Sequence, residues 1–300
     1  VFRRLCILAV FVLSVILAES DSHAQIVFEQ STFKKVSGPE IPAEDVEVSS
    51  PIYHAQVGKI NYPLGTYNYT VSWQGIPAAD ASITIDQTGM YYKVNAKAKT
   101  YSGIDILYKL RYQALGTVSA VNFMPLKTSI NHVENSRIKT TDIEYLDNGD
   151  IKAVRSQLGK NAKSIVFDSK NFTLEPVSAG LLARGVDWSV GKSIELDTFN
   201  GKTRYLIKLS CVEKKEIEVN DSPREVWVIT PQVLKLTEPE APNKLREARI
   251  YMTTDSAREV LLIESEVFIG TVKTSLDSFE PLNRAGSQTV AQVQKYKLSS

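Results

Sequence analysis

Cysteine is nearly absent from this chain: 300 residues contain 2, Cys6 inside an apolar N-terminal run and Cys211 far downstream. If that run is removed, Cys211 has no partner. An internal disulfide is then excluded and the fold must rest on its hydrophobic core, which a chain of this length can supply. Cys211 alternates in phase with Tyr205, Ile207 and Leu209, the pattern of a small core residue on a strand. Histidine is as scarce, with 3 in all. A charge excess is also missing: 35 basic against 34 acidic residues leave a formal charge of +1, so no global field attracts nucleic acid or an anionic membrane. Gly-rich phosphate loops, Walker patterns and paired-cysteine zinc spacings do not occur, so no cofactor and no metal is expected.

The N-terminus carries an address. Arg3 and Arg4 precede a fourteen-residue apolar run from Leu5 to Ala18, and Ser22-His23-Ala24 places small residues where a signal peptidase cuts, before Gln25. Spanning the hydrocarbon core takes about 20 apolar residues. Residues 1–24 therefore read as a cleaved signal peptide, and the expected destination is the periplasm with no membrane-spanning segment left. Cleavage removes Arg3, Arg4, Glu19 and Asp21, which leaves the charge at +1. Residues 25–58 hold Pro39, Pro42 and Pro51 and follow no sustained period, as a flexible leader would; residues 282–300 read as a polar tail. One domain is expected over residues 59–281, since no linker divides it.

That domain is written in strand code. In Gly65 to Gln74, Tyr67, Tyr69, Val71 and Trp73 alternate with Asn68, Thr70, Ser72 and Gln74. After Gly75-Ile76-Pro77 the alternation resumes with Ala79, Ala81, Ile83 and Ile85, and after a turn at residues 86–89 with Tyr92, Val94, Ala96 and Ala98. Further runs fall at about 125–134, 137–146, 150–157, 162–168, 192–198, 203–212, 215–219, 224–230, 246–253, 259–268 and 271–279. Only two short helices are expected, over residues 103–110 behind Ser102, and over 176–184 with Pro176 in the first turn and Gly185 as the stop. Two short helices cannot cover a dozen strands unless the sheet curls. The predicted class is mainly β, a single strongly curved antiparallel sheet forming a half-barrel or open barrel.

Tyr67-x-Tyr69-x-Val71-Ser72-Trp73-x-Gly75-Ile76-x-Ala78-Ala79, then Leu181-Leu182-Ala183-Arg184-Gly185 with Val190-Gly191, and finally Thr254-Asp255 with the stretch from Glu264 to Val272, resemble the DUF3108 family of exported bacterial proteins. The resemblance covers residues 62–280. It implies a strongly curved antiparallel sheet similar to the half-barrels of periplasmic lipoprotein and lipid carriers, and it transfers no functional residues. Ala79 stands where the family often has glycine.

Catalytic constellations are thin. A Ser-His-Asp relay would have to use His132, because His54 lies in the leader. His132 and Glu134 share a sheet face without a third metal-type ligand close in sequence. Asp142 with Glu144, and Glu264 with Glu266, are same-face acidic pairs best read as solvent faces, although the Glu264 face also carries Val260, Leu262 and Phe268 and so suggests a wet cavity or an edge. The aromatics remain, 13 tyrosines and 3 tryptophans. The stripe of Tyr67, Tyr69 and Trp73 is either closed core or the lining of an open apolar concavity. The candidate ligand-binding residues are Tyr67, Tyr69, Trp73, Tyr92 and Tyr205, and no enzyme is expected. A hydrophobic small molecule or lipid is the expected partner. The alternative is an assembly module that meets another envelope protein through sheet edges or the leader.

Overall fold

The computed structural model describes residues 62–168, 171–236, 247–266, 270–282 and 293–298, so the expected signal peptide and leader lie outside the described residues. The strong alternation at the start of the domain becomes β1 (Gly65–Trp73), with Tyr67, Tyr69 and Val71 buried and the residues between them on the wet face. From it runs a meander of β2 (Ile76–Thr88), β3 (Tyr91–Thr100), α1 (Ser102–Asp105), β4 (Leu110–Ser119), β5 (Pro125–Glu134), β6 (Arg137–Tyr145), β7 (Asp150–Gln157) and β8 (Lys160–Asp168). After α2 (Pro176–Gly185) a second meander follows: β9 (Ser193–Phe199), β10 (Arg204–Val219), β11 (Ser222–Lys235), β12 (Glu247–Thr253), β13 (Val260–Glu266) and β14 (Thr271–Pro281). β14 returns to pair antiparallel with β1, so one sheet runs in the order β8 through β1, then β14 back through β9.

The sheet curls until its two outer strands meet, but among the described residues no backbone ladder joins them. Side chains close the gap. Phe167 of β8 packs edge-on against Phe199 of β9 with ring centroids 4.9 Å apart, and Ile143, Ile151 and Ala153 complete a small second core around Phe199. Gly201, in the β9–β10 turn with φ +86°, lies so close to β6 that a Cβ there would stand 2.3 Å from Thr141 Cγ2. This is an open barrel, as the alternation predicted.

Its interior is occupied by α2. Eight of its residues are buried, Pro176, Ser178 to Ala183 and Gly185, so it is buried on all sides as only an interior helix can be. Its N-terminus is held by a reciprocal capping box: the Glu175 carboxylate accepts from the Val177 and Ser178 N–H groups at 2.8 and 2.7 Å, and Ser178 Oγ accepts from the Glu175 N–H at 3.1 Å. Just before it, Leu174 forms a parallel bridge to Thr198 and so covers part of the β9 edge. The sheet makes room with small residues: Ala81 pairs with Ala98, Ala96 with Ala114, and Val94 with Gly116 across β2, β3 and β4. A Cβ on Gly116 would fall 2.9 Å from Val177 Cγ1.

Several expectations need correction. β4 is a ten-residue strand where the sequence suggested the end of a helix and then no element, because small Ala114 and Gly116 occupy inward positions while Leu115 is exposed. α1 is a single turn without a side-chain cap, so Ser102 does not act as one. The runs at 203–212 and 215–219 are one strand, β10, whose bulge between Cys211 and Glu213 interrupts the phase. Part of the expected tail is docked: β15 (Gln294–Lys295) pairs with β14, and Tyr296 is buried with its hydroxyl donating to Glu259 at 2.7 Å. Trp188, after α2, is buried, its indole N–H donating to Ala183 O at 2.9 Å. Cys211 is buried, as its phase indicated.

The helix–sheet contact at Gly116 generates a test. Gly116→Ala should destabilise the protein by about 1–3 kcal/mol through overpacking. Adding Val177→Ala should restore part of that loss in a double-mutant cycle followed by urea unfolding. Additive losses would mean that the two positions do not meet.

Candidate functional site

Where α2 crosses the concave face, its small residues leave a gap. A cavity of about 120 Å³ lies between them, lined by Tyr67 and Tyr69 of β1, Ile83 of β2, Ala96 of β3, Tyr112 and Ala114 of β4, Val177, Leu181 and Arg184 of α2, and Ile263 of β13. The lining is apolar apart from three phenols, Thr274 and one cation. Arg184, in the last turn of α2, lies over the ring of Tyr62 at 4.8 Å and that of Tyr67 at 5.0 Å. Its Nε donates to Arg258 O at 2.9 Å, and its Nη2 to Ala257 O at 3.0 Å and to the Tyr67 hydroxyl at 3.3 Å. Among the described residues no carboxylate pairs with it.

Burial raises the phenols of Tyr62, Tyr67 and Tyr69 above the ordinary tyrosine value, with the Arg184 charge opposing that shift. They stay neutral, and the first two donate hydrogen bonds. Tyr62 donates to Leu181 O at 2.5 Å and Tyr67 to Pro63 O at 2.9 Å. The Tyr69 hydroxyl makes no hydrogen bond among the described residues. The wall therefore offers a guanidinium and a phenol but no paired nucleophile and base.

The predicted lining divides. Tyr67 and Tyr69 do face the cavity. Tyr92 sits at one end of the interior, edge-on to Tyr62 at 5.7 Å and stacked on Phe123 at 6.3 Å. Trp73 is half-buried at the end of β1, and Tyr205 is fully buried in β10; neither lines the cavity. Arg184 was missed, and its signal was visible: one cation within Val177-Ser178-Ala179-Gly180-Leu181-Leu182-Ala183-Arg184-Gly185, an otherwise small and apolar segment.

The other candidates are structural. Leu261, Ile263 and Ser265 take the inward positions of β13, so the Glu264 face is the outer one, not a cavity wall. There Glu264 pairs with Lys273 at 3.0 Å and accepts from the Tyr251 hydroxyl at 2.8 Å. Glu144 pairs across the ladder with Lys127 at 3.5 Å. A wider depression of about 580 Å³ crosses the outer face of β1 to β5, with Asp80 and Asp277 at one side and Lys97, Lys99 and Arg111 at the other. Several of its charges are already engaged: Tyr101 donates to Asp80 at 2.5 Å, Thr70 to Asp277 at 2.6 Å, and Arg111 to Asp105, whose carboxyl those bonds hold down at about 2.

The chain belongs to the family described as protein of unknown function (DUF3108), whose model matches residues 68–277. No curated protein matches it. Among solved structures, it is similar to a beta-barrel-like protein of the domain of unknown function DUF1849 from Brucella abortus. The TM-score is 0.50 at 8% identity, over 73% of this chain and 97% of that one. This likeness extends to the fold alone.

His132 stands inside the barrel wall, edge-on to Tyr112 at 6.1 Å, with its Nε2 buried and unbonded. Burial, and then the Lys139 charge, push its pKa down from 6.5 to about 4. A base with a depressed native pKa stabilises the fold above its unfolded value and loses that contribution as protons bind. Stability should therefore fall from pH 6.5 toward about 4, and His132→Gln should flatten that part of the profile in urea melts. An unchanged slope would place the acid sensitivity elsewhere.

Proposed function

We propose that this protein is a non-catalytic binding protein of the periplasm, which holds a hydrophobic envelope component in the space between α2 and the concave sheet. The observation that supports this most is the cavity itself: an apolar interior space of about 120 Å³, walled by the concave face of the sheet and a helix of small residues. Engineered apolar cavities of roughly 150 Å³ stay dry and take up benzene-sized molecules. Sites for larger ligands run to roughly 300–1,000 Å³. The closed form thus suits a short alkyl group or the end of a lipid chain, and a whole acyl chain requires α2 to yield. The N-terminal segment with signal-peptide character supports export.

A second reading, an assembly module, is favoured by one feature. β8 (Lys160–Asp168) is an edge strand with mostly exposed residues, open to pairing by a partner strand.

Hexan-1-ol is a suitable probe. It should shift NMR resonances of Tyr69 and Ile83, and Ala96→Leu, which places three further carbons in the cavity, should weaken its binding about ten-fold or more, given roughly 0.8 kcal/mol per CH₂ excluded from burial. Hexan-1-ol binding that Ala96→Leu leaves untouched, or no binding at all, would move the weight to the edge-strand reading.

A further inference from the structure

Arg184 is a charge without a counter-charge. A guanidinium stays protonated at every physiological pH, and taking it out of water is costly unless an anion compensates. Desolvation does work against this one. Its present partners are two backbone carbonyls, one phenol and two aromatic faces, none of which carries a full negative charge. The acidic residue beside those carbonyls, Glu259, is engaged elsewhere, accepting from Tyr296 at 2.7 Å and from Arg224 at 3.4 Å. Asp187, just beyond the helix, pairs with Arg258 at 3.6 Å. So the fold supplies carboxylates nearby and directs them to other cations.

We propose that Arg184 and Tyr69 form a head-group site for the carboxylate of an acid-headed amphiphile, whose alkyl part lies along Ile83, Ala96 and Ala114. This rests on the binding reading above and names its ligand class. One guanidinium balances one negative charge, and with Nε and Nη2 already donating its Nη1 N–H groups remain to donate to a carboxylate oxygen. A phosphate monoester, close to dianionic at neutral pH, would leave charge uncompensated. The Tyr69 hydroxyl of β1 supplies a further donor in the lining of the same cavity.

Calorimetric titration with hexanoate, hexan-1-ol and hexyl phosphate at pH 7.5 separates the outcomes. Hexanoate should bind about ten-fold or more tighter than hexan-1-ol, since a hydrogen bond to a charged group contributes roughly 1.5–3 kcal/mol. Arg184→Met should abolish that preference while hexan-1-ol still binds. Should Arg184→Met fail to fold, Tyr69→Phe is the second variant: it should weaken hexanoate by about three-fold or more, and by more than it weakens hexan-1-ol. Equal binding of hexanoate and hexan-1-ol would overturn the head-group site and leave the cavity reading standing. Tighter binding of hexyl phosphate than hexanoate would overturn the carboxylate assignment. If none of the three binds, the cavity reading itself fails.

Discussion

The packing of α2 against the inside of the curled sheet is the constraint on which the rest of the structure depends. A single sheet of this extent has an apolar face far too large to leave in water, and curling alone would enclose an empty space. The helix fills most of it. For that to work the sheet must present small residues where the helix lies, and the pairs Ala81–Ala98 and Ala96–Ala114, with Gly116 opposite Val177, do so. The helix in turn is built from Ala, Gly, Ser and Leu, and its buried N-terminus is satisfied by Glu175 through the capping box. The same demand for small residues on both sides explains why a gap remains at Tyr69 and Ala96.

The two meanders meet at the β1–β14 pair and again, without backbone pairing, where Phe167 reaches Phe199. The second junction is the weaker one. It is a side-chain contact next to an edge strand, so it is where the barrel would be expected to open first. α2 is tied to that side through Leu174 on the β9 edge, which couples any movement of the helix to the less tightly closed part of the wall.

Much of the fold was legible because half-buried strands write their period into the sequence. β1, the body of β2 and β3 could be read from their alternation, although β2 runs from Ile76 to Thr88, so it starts inside the expected break at residues 75–77 and turns at Gly89–Met90 rather than over residues 86–89. β4 was not, because the helix it faces demands Ala114 and Gly116 at inward positions, and these carry no hydrophobic signal. A tertiary requirement had erased the local pattern. The bulge in β10 hid a long strand for a similar reason, by breaking phase at Cys211. For the site, Tyr67 and Tyr69 were legible as an inward stripe, whereas Trp73 and Tyr205 share the stripe character without reaching the cavity. Arg184 was visible as a lone cation in a small apolar segment, but nothing in the spacing along one helix tells which rings and carbonyls will surround it.

On the proposed reading, the interior, not the outer face or the chain termini, is where this protein would meet a ligand. The most direct check is native mass spectrometry with organic extraction, on protein purified without detergent. The expected result is a retained species at near one-to-one stoichiometry that extracts as an acid-headed amphiphile. A clean apoprotein mass under the same conditions, with nothing in the extract, would contradict that reading.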